Sequence, residues 1–413
     1  MLTPLKRLRD AIMAGPLGTE ADFRRLWCGQ IFSAAGYAGE QVILGLLVYR
    51  ITGSSEWVGI SLAVYYAPLF IAGTLSGAVA DWMDRRQLLR MLELGFLSSQ
   101  IIFAAALIAS IQALWVMLVA SFIFGILRAM HQPVRVSYAY DLIGGGKVVS
   151  AIGTLNLGIR SGQLVGSLAA GTVMEFVSAP GAFLTLACSH AIAWFLTSRL
   201  RSPGRASVAV ADRAPMGRNL LEYIGELRRN RILLMLVLLT ASVEFFGFSF
   251  QTGLPQLAEG RLQVGADGLG QLQAARAAGG VMASLLLTLG LPWLARPGRA
   301  YLGVIVLFGI GMWAVSASNH FVFAMAALFL VSGMATASDI LTQSMLQLSV
   351  PNALRGRAMG AWSLAIGISP VGQMEMGFLI GAFGLSAAYA FNGAMLISIA
   401  IIVAIAVPGL RRL

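Results

Sequence analysis

The chain has 413 residues, 58% of them hydrophobic and only 11% charged, with a mean hydropathy of +0.79. A water-soluble domain carries charge on about a quarter of its residues, so the composition excludes a soluble fold and points to lipid as the solvent. The net charge of +11 is laid out along the chain as a topology signal and is no argument for nucleic acid as a partner.

A spanning helix needs roughly 20 mostly apolar residues, and twelve such stretches follow one another here. In chain order they are Arg25–Tyr49, Val58–Ala80, Leu89–Ile108, Leu114–Tyr138, Ser150–Phe176 and Gly181–Thr197. After a break come Ile232–Leu254, Gly268–Leu291, Ala300–Ser316, Phe321–Leu348, Ala358–Phe383 and Leu385–Ala406. The connections are mostly short, so the expected architecture is all-α and polytopic. No cleavable signal peptide is expected, since the residues before the first stretch lack a long apolar core and the first span can itself direct insertion. Cys28 and Cys188 both sit in apolar stretches. Two such cysteines make no disulfide framework and read as small buried hydrophobes.

Lys and Arg cluster in every second connection. Lys6, Arg7, Arg9, Arg24 and Arg25 precede the first span, Arg85, Arg86 and Arg90 follow the second, and Lys147 follows the fourth. Many more lie between Arg199 and Arg231, and Arg296, Arg299, Arg355, Arg357, Arg411 and Arg412 continue the pattern; the opposite connections hold little beyond Arg50 and Arg261. This positive-inside asymmetry puts both termini in the cytoplasm. The long connection begins with turn-rich Ser202-Pro-Gly-Arg-Ala-Ser and ends with Leu220, Leu221, Ile224 and Leu227 at helical spacing, opposite Glu222, Glu226 and Arg228. That pattern predicts an amphipathic helix on the membrane surface. The expected domains are an N-terminal six-helix bundle over 1–198, a cytoplasmic linker over 199–230 and a C-terminal six-helix bundle over 231–413. Gly166 with Gly372, and Gly171 with Gly377, recur at one offset of half the chain, as an internal repeat would require.

A charge in hydrocarbon is costly and normally faces a cavity or a partner. Glu40 lies in the first span, Arg128 in the fourth, Arg160 in the fifth, Glu244 in the seventh, Arg276 in the eighth, Asp339 in the tenth and Glu375 in the eleventh. The third, sixth, ninth and twelfth carry none in their interiors, with Glu93 placed near a cytoplasmic end and His190 able to stay neutral. This rhythm predicts that the first and second helix of each triplet approach a central path while the third faces lipid. On the fourth span Arg128, His131 and Arg135 occur at i, i+3 and i+7, one face of a helix, with Pro133 between them expected to kink it. They read either as a cationic stripe on a water-filled cavity or as structural partners of acids on neighbouring helices.

Between the second and third spans stands Gly77-Ala-Val-Ala-Asp81-Trp-Met-Asp84-Arg85-Arg86, a tight charged turn. Its second-half counterpart, Gly290 to Arg299, keeps the Gly and the final Arg but not the Asp. Further markers are Phe23-Arg-Arg-Leu-Trp27, Gly39-Glu40, Val48-Tyr-Arg-Ile-Thr-Gly-Ser54, Pro133-Val-Arg135 and Gln347 to Gly360 with Arg355-Gly-Arg357. On these residues the chain resembles the major facilitator superfamily along nearly its whole length, nearest to the branch of the enterobactin exporter and the macrolide-efflux proteins. Asp84 stands where the superfamily's loop usually has a second Gly. The resemblance implies twelve transmembrane helices in two pseudo-symmetric six-helix bundles and alternating access about a central site. It also implies secondary transport, commonly driven by protons and often export, in the bacterial cytoplasmic (inner) membrane.

The resulting site expectations are specific. Glu40, Asp339 and Glu244 are the proton-coupling candidates. Arg128, His131, Arg160, Tyr37, Tyr65, Phe245 and Phe246 are the substrate-binding candidates; a cavity cationic on the wall of the first half and acidic on that of the second, with aromatics from the first, second and seventh spans, suits a mid-sized amphipathic molecule with anionic or polar-oxygen groups. Gly77, Asp81, Asp84, Arg85, Arg86 and Arg135 form the expected cytoplasmic gate, with Asp81 and Arg85 pairing toward Arg135 and Lys147. The stripe Gly158, Gly162, Gly166 and Gly171 resembles an antiporter motif without its Gly-Pro pair, and ordinary helix packing explains it equally well. The scattered histidines His131, His190 and His320 offer no metal spacing, and no phosphate-binding Gly-Lys-Ser/Thr or nucleophile elbow occurs, so neither an enzyme nor a cofactor is expected. The expected partners are a small-molecule substrate, protons and membrane lipids, around a monomer. A siderophore- or drug-like export substrate is the leading reading. A lipid or lysolipid flippase, a siderophore importer and a non-transporting sensor of the same fold are the alternatives.

Overall fold

The computed structural model describes residues 16–143, 148–204, 231–288, 296–348, 362 and 365–412, and within them only the backbone of 16, 70–82, 140, 148–153, 231–232, 288, 347–348 and 412. Among these residues every regular element is helical. The main helices are α1 (Ala21–Thr52), α2 (Ser55–Trp82), α3 (Arg85–Ile108), α4 (Leu114–Ile143), α5 (Val148–Phe176) and α6 (Ala179–Ser198). They continue with α7 (Arg231–Ser242), α8 (Gly265–Thr288), α9 (Pro297–Ser316), α10 (Phe321–Leu348), α11 (Ser369–Phe383) and α12 (Leu385–Ala406). Beyond its regular part α7 runs on through a π turn at Val243–Gly247, a 3-10 turn at Phe248–Gly253, Leu254–Gln256 and a second π turn at Leu257–Arg261. The expected surface helix at 220–227, Lys147 and the segment 351–357 lie outside the described residues.

Eight of these helices, α1, α3, α4, α6, α7, α9, α10 and α12, are long and apolar enough to cross a membrane over their described residues. Large apolar side chains stay on their outsides, among them Ile101 and Ile102 on α3, Phe122 on α4, Phe195 on α6, Trp313 on α9 and Ile402 and Ile405 on α12. In water such a surface would aggregate; facing acyl chains it costs nothing. Cys188 is exposed on the same outer face of α6, not buried as its apolar setting suggested, while Cys28 is partly covered.

By proximity the chain gathers into two units, one of Met1–Leu44 with Ile71–Ala209 and one of Gly45–Phe70 with Val210–Leu413. In the first, α3 lies along α6, and a file of rings, Phe96, Phe124, Phe103 and Phe183, fills the interior. The Arg90 guanidinium donates to the carbonyls of Thr197, Ser198 and Leu200 at 3.3, 2.8 and 3.1 Å. It thus satisfies the orphan carbonyls at the end of α6 with the charge that the helix dipole favours there. In the second unit α8 packs on α10 and α9 on α12.

One pair of the glycines repeated between the halves, Gly166 and Gly372, marks equivalent contacts. A methyl group on Gly166 of α5 would collide with the Ala35 carbonyl of α1, and one on Gly372 of α11 would collide with the Phe245 carbonyl of α7. The fifth helix of each half therefore meets the first helix of that half backbone to backbone, which only a missing Cβ permits. Gly162 of the same stripe meets the Ile31 carbonyl of α1 in the same way.

Candidate functional site

Glu93 lies in the interior of the first unit. The side chain is 2% exposed and its two oxygens are held from different helices. Oε1 accepts from the Ser33 hydroxyl of α1 and is bonded to Nε2 of His131 of α4 at 2.7 Å, and Oε2 is bonded to Nδ1 of His190 of α6 at 2.9 Å. The imidazole nitrogens aim at separate carboxylate oxygens and not at a common point, so this is a hydrogen-bonded chain and not a metal centre. Phe96, one turn beyond Glu93, stacks on His190 with ring centroids 4.6 Å apart. The Tyr37 ring stands 5.7 Å from both imidazoles and 5.1 Å from the Arg128 guanidinium above it. Arg135, one turn beyond His131 on α4, is buried and donates to Gln30 of α1.

This arrangement corrects the reading of the third and sixth helices as facing lipid, with Glu93 no more than a residue near a helix end. Both do show an apolar outer face, but the inner face of α3 carries Glu93, Phe96 and Gln100 and that of α6 carries His190. The signal was available: Glu93 and Gln100 are seven residues apart on one face of α3. Glu40, the first choice for coupling, is fully buried and accepts from that same Gln100 at 3.0 Å. Arg128 and Arg160 are half-buried, with Arg160 3.4 Å from Gln163.

At the end of the first unit where α2 gives way to α3, Asp84 explains its own presence in the turn. It is the N-cap of α3, accepting from the backbone N–H of Arg86 at 2.9 Å and of Gly204 at 3.1 Å. Capping of this kind is what Asp does best. Arg85 reaches both oxygens of Asp141 at 2.6 and 2.7 Å, Arg86 donates to the Arg201 carbonyl, and Tyr138 donates to the Ser202 carbonyl. Asp22 accepts from the N–H groups of Arg201 and Ser202. Of the groups expected to form the gate, Arg85 pairs with Asp141 and Arg135 donates to Gln30, while Lys147 lies outside the described residues. Gly77 and Asp81 belong to the residues described by backbone alone.

The second unit holds a separate polar group. Glu244 sits on the first π turn of α7, a local widening that often marks functional positions. It is buried, beside Ser369 of α11, and close enough to Asp339 of α10 to interact electrostatically. The structure thus brings together two of the three carboxyls singled out for coupling. Arg276 donates to Gln251 at 2.6 Å, and Asn392 links Glu375 with Ser249 at 3.2 and 3.1 Å. Phe245 and Phe246 are half-buried neighbours 4.7 Å apart, and Tyr65 meets Tyr66 at 5.3 Å. The two arginines out of place in the charge alternation have partners here: Arg50 donates to Glu259 at 2.9 Å, and Arg261 to the Ser316 carbonyl and the Ser386 hydroxyl.

Both units thus hold charged and hydrogen-bonding groups inside apolar helices. The chain is 23% identical over 363 residues to a staphyloferrin A transporter of Staphylococcus aureus (strain NCTC 8325 / PS 47), covering 88% of this chain and 90% of that protein. Among solved structures, a peptide transporter POT in complex with sulfate matches with a TM-score of 0.78 at 14% identity over 98% of both chains. The nucleoside transporter NupG matches with a TM-score of 0.69 at 14% identity over 92% of this chain and 98% of that one. The model of the Major Facilitator Superfamily matches residues 26–300, well over half of the chain, and the protein belongs to that superfamily.

Proposed function

We propose that this multi-pass membrane transporter works by alternating access and exports an amphipathic small molecule bearing anionic or polar-oxygen groups, driven by a proton gradient across the bacterial cytoplasmic membrane. A siderophore-like metabolite is the class that fits first, in keeping with the staphyloferrin A transporter to which the chain is similar. The observation that carries the substrate class is Arg128. Its guanidinium lies half-buried over the Tyr37 ring in a helical interior, where a cation with an aromatic neighbour offers an oxyanion charge-assisted hydrogen bonds. Arg160 on the next helix is a second half-buried guanidinium. With no nucleotide-binding motif in the sequence, the energy source is an ion gradient.

The test is transport by the purified protein in liposomes, with and without a pH gradient, using staphyloferrin A beside a simple sugar and a lipophilic cation. Loss of one charge-assisted hydrogen bond is worth about 1.5–3 kcal/mol, so Arg128→Ala weakens binding roughly tenfold to a hundredfold, and Tyr37→Leu weakens it less. Preference for the sugar or the cation, or binding unchanged when Arg128 and Arg160 are neutralised together, overturns the assignment. Uptake in place of extrusion makes the protein an importer.

A further inference from the structure

We infer that Glu93, bridged between His131 and His190, is the proton-binding site of the first unit; this deepens the proton-driven reading above and rests on it. The cluster draws one residue from each of α3, α4 and α6, with Ser33 from α1 as a fourth. All four side chains are buried, and none of them follows from the superfamily motifs in the sequence.

The geometry specifies how a proton is taken up. With both imidazoles neutral and the carboxylate ionised, His131 donates through Nε2 and His190 through Nδ1. Their outer nitrogens, Nδ1 of His131 and Nε2 of His190, are buried and have no hydrogen-bond partner among the described residues. A proton that binds Nδ1 of His131 makes an imidazolium, which passes its Nε2 proton to Oε1 of Glu93. The imidazole is then neutral again with its proton on Nδ1, the carboxyl is protonated, and the cluster has gone from a charge of −1 to 0. The same sequence runs through Nε2 of His190, its Nδ1 proton and Oε2. Gly36 of α1 leaves the space that the outer nitrogen of His190 occupies, since a methyl group there would collide with it.

The charged and titratable groups around the cluster are Tyr37 and Glu40 on α1 and Arg128 and Arg135 on α4, with Glu40 tied to Gln100 of α3. Tyr37 touches both imidazoles and Arg128. A change of one charge at Glu93 therefore lies a single ring away from the guanidinium proposed to hold substrate. That contact gives proton and substrate binding a physical route to influence each other, and such influence is reciprocal.

Two measurements test the site. The chain contains three histidines, so a spectrum of the protein labelled with 15N-histidine in micelles is assignable from His131→Gln, His190→Gln and His320→Gln. Titrated over about pH 5 to 8, the range in which imidazoles ordinarily change charge, His131 and His190 are expected to shift together. Both are expected to lose that common transition in Glu93→Gln, while His320 is unaffected. Independent titration of the two rings, or transitions that persist in Glu93→Gln, overturns the inference without reference to any substrate. If Glu93→Gln does not fold, His131→Gln and His190→Gln answer the same question, because each must alter the transition of the other ring. In liposomes with staphyloferrin A as probe, Glu93→Gln is expected to abolish pH-driven flux and keep downhill exchange, and His320→Gln to keep both. Wild-type flux that ignores the pH gradient refutes the proton-driven reading and, with it, a coupling role for Glu93. Wild-type flux that follows the gradient, with Glu93→Gln following it equally, refutes the present inference alone. Should the probe not be carried, the imidazole titration decides.

Discussion

The Arg85–Asp141 pair offers a quantitative check on how the α2–α3 turn is held. The two side chains are 10% and 12% exposed, and one guanidinium nitrogen lies 2.6 and 2.7 Å from the two carboxylate oxygens. At about 3 Å and an effective dielectric of ~20 the gross attraction is about 5 kcal/mol, much of it offset by the cost of removing both ions from water. Replacing one partner leaves the other charged and buried, so Asp141→Leu is expected to cost about 3–5 kcal/mol. Replacing both with apolar groups removes attraction and desolvation together, so Arg85→Met with Asp141→Leu is expected to be much less destabilised than the sum of the single changes. The assay is unfolding of the four proteins of this cycle in detergent micelles, read as free-energy differences. A coupling energy of about 2 kcal/mol or more is expected. Additivity of the single changes to within about 0.5 kcal/mol would refute a desolvated, interacting pair.

Other outcomes follow from the same geometry. Asp84→Ala removes the N-cap of α3 and an acceptor for Gly204, and is expected to lower stability by about 1 kcal/mol or somewhat more, while Asp84→Asn retains most of it; equal melting of the two variants argues against capping. Gly166→Leu forces α5 off the α1 backbone and is expected to cost at least the 1–3 kcal/mol typical of overpacking, with Gly372→Leu behaving alike on α11 and α7; wild-type unfolding midpoints would show that neither approach matters. Glu259→Gln removes the partner of an Arg50 side chain that is 39% exposed, so its expected effect is under about 1 kcal/mol and shrinks with salt. For topology, Ser318 is buried but Asn319 beside it is exposed, so single cysteines at Ser207 and Asn319, in a background lacking Cys28 and Cys188, are expected to label from opposite sides of the membrane; labelling from one side contradicts the charge-based orientation.

The sequence by itself determined the solvent, the helical class and the approximate spans, because each depends on local quantities: apolar length, charge placement and the spacing of residues along one helix. It also placed Arg128, His131 and Arg135 on a common face, since helical periodicity settles which side chains are neighbours within an element. What it could not decide is which faces meet. Glu93, His131 and His190 come from three helices, and the sequence shows each as an isolated polar residue among apolar ones. Assigning α3 and α6 to the lipid averaged over helices whose outer face is apolar and whose inner face is not. The same limit applies to Arg85, whose partner Asp141 lies at the far end of another helix, and to Gly166 and Gly372, whose stripe was legible but whose contacts on α1 and α7 were not. Pairings of this kind are set by the simultaneous packing of many helices, where burying a charge is tolerated only if another helix brings the group that satisfies it. That condition is met in three dimensions and leaves no periodic trace along the chain.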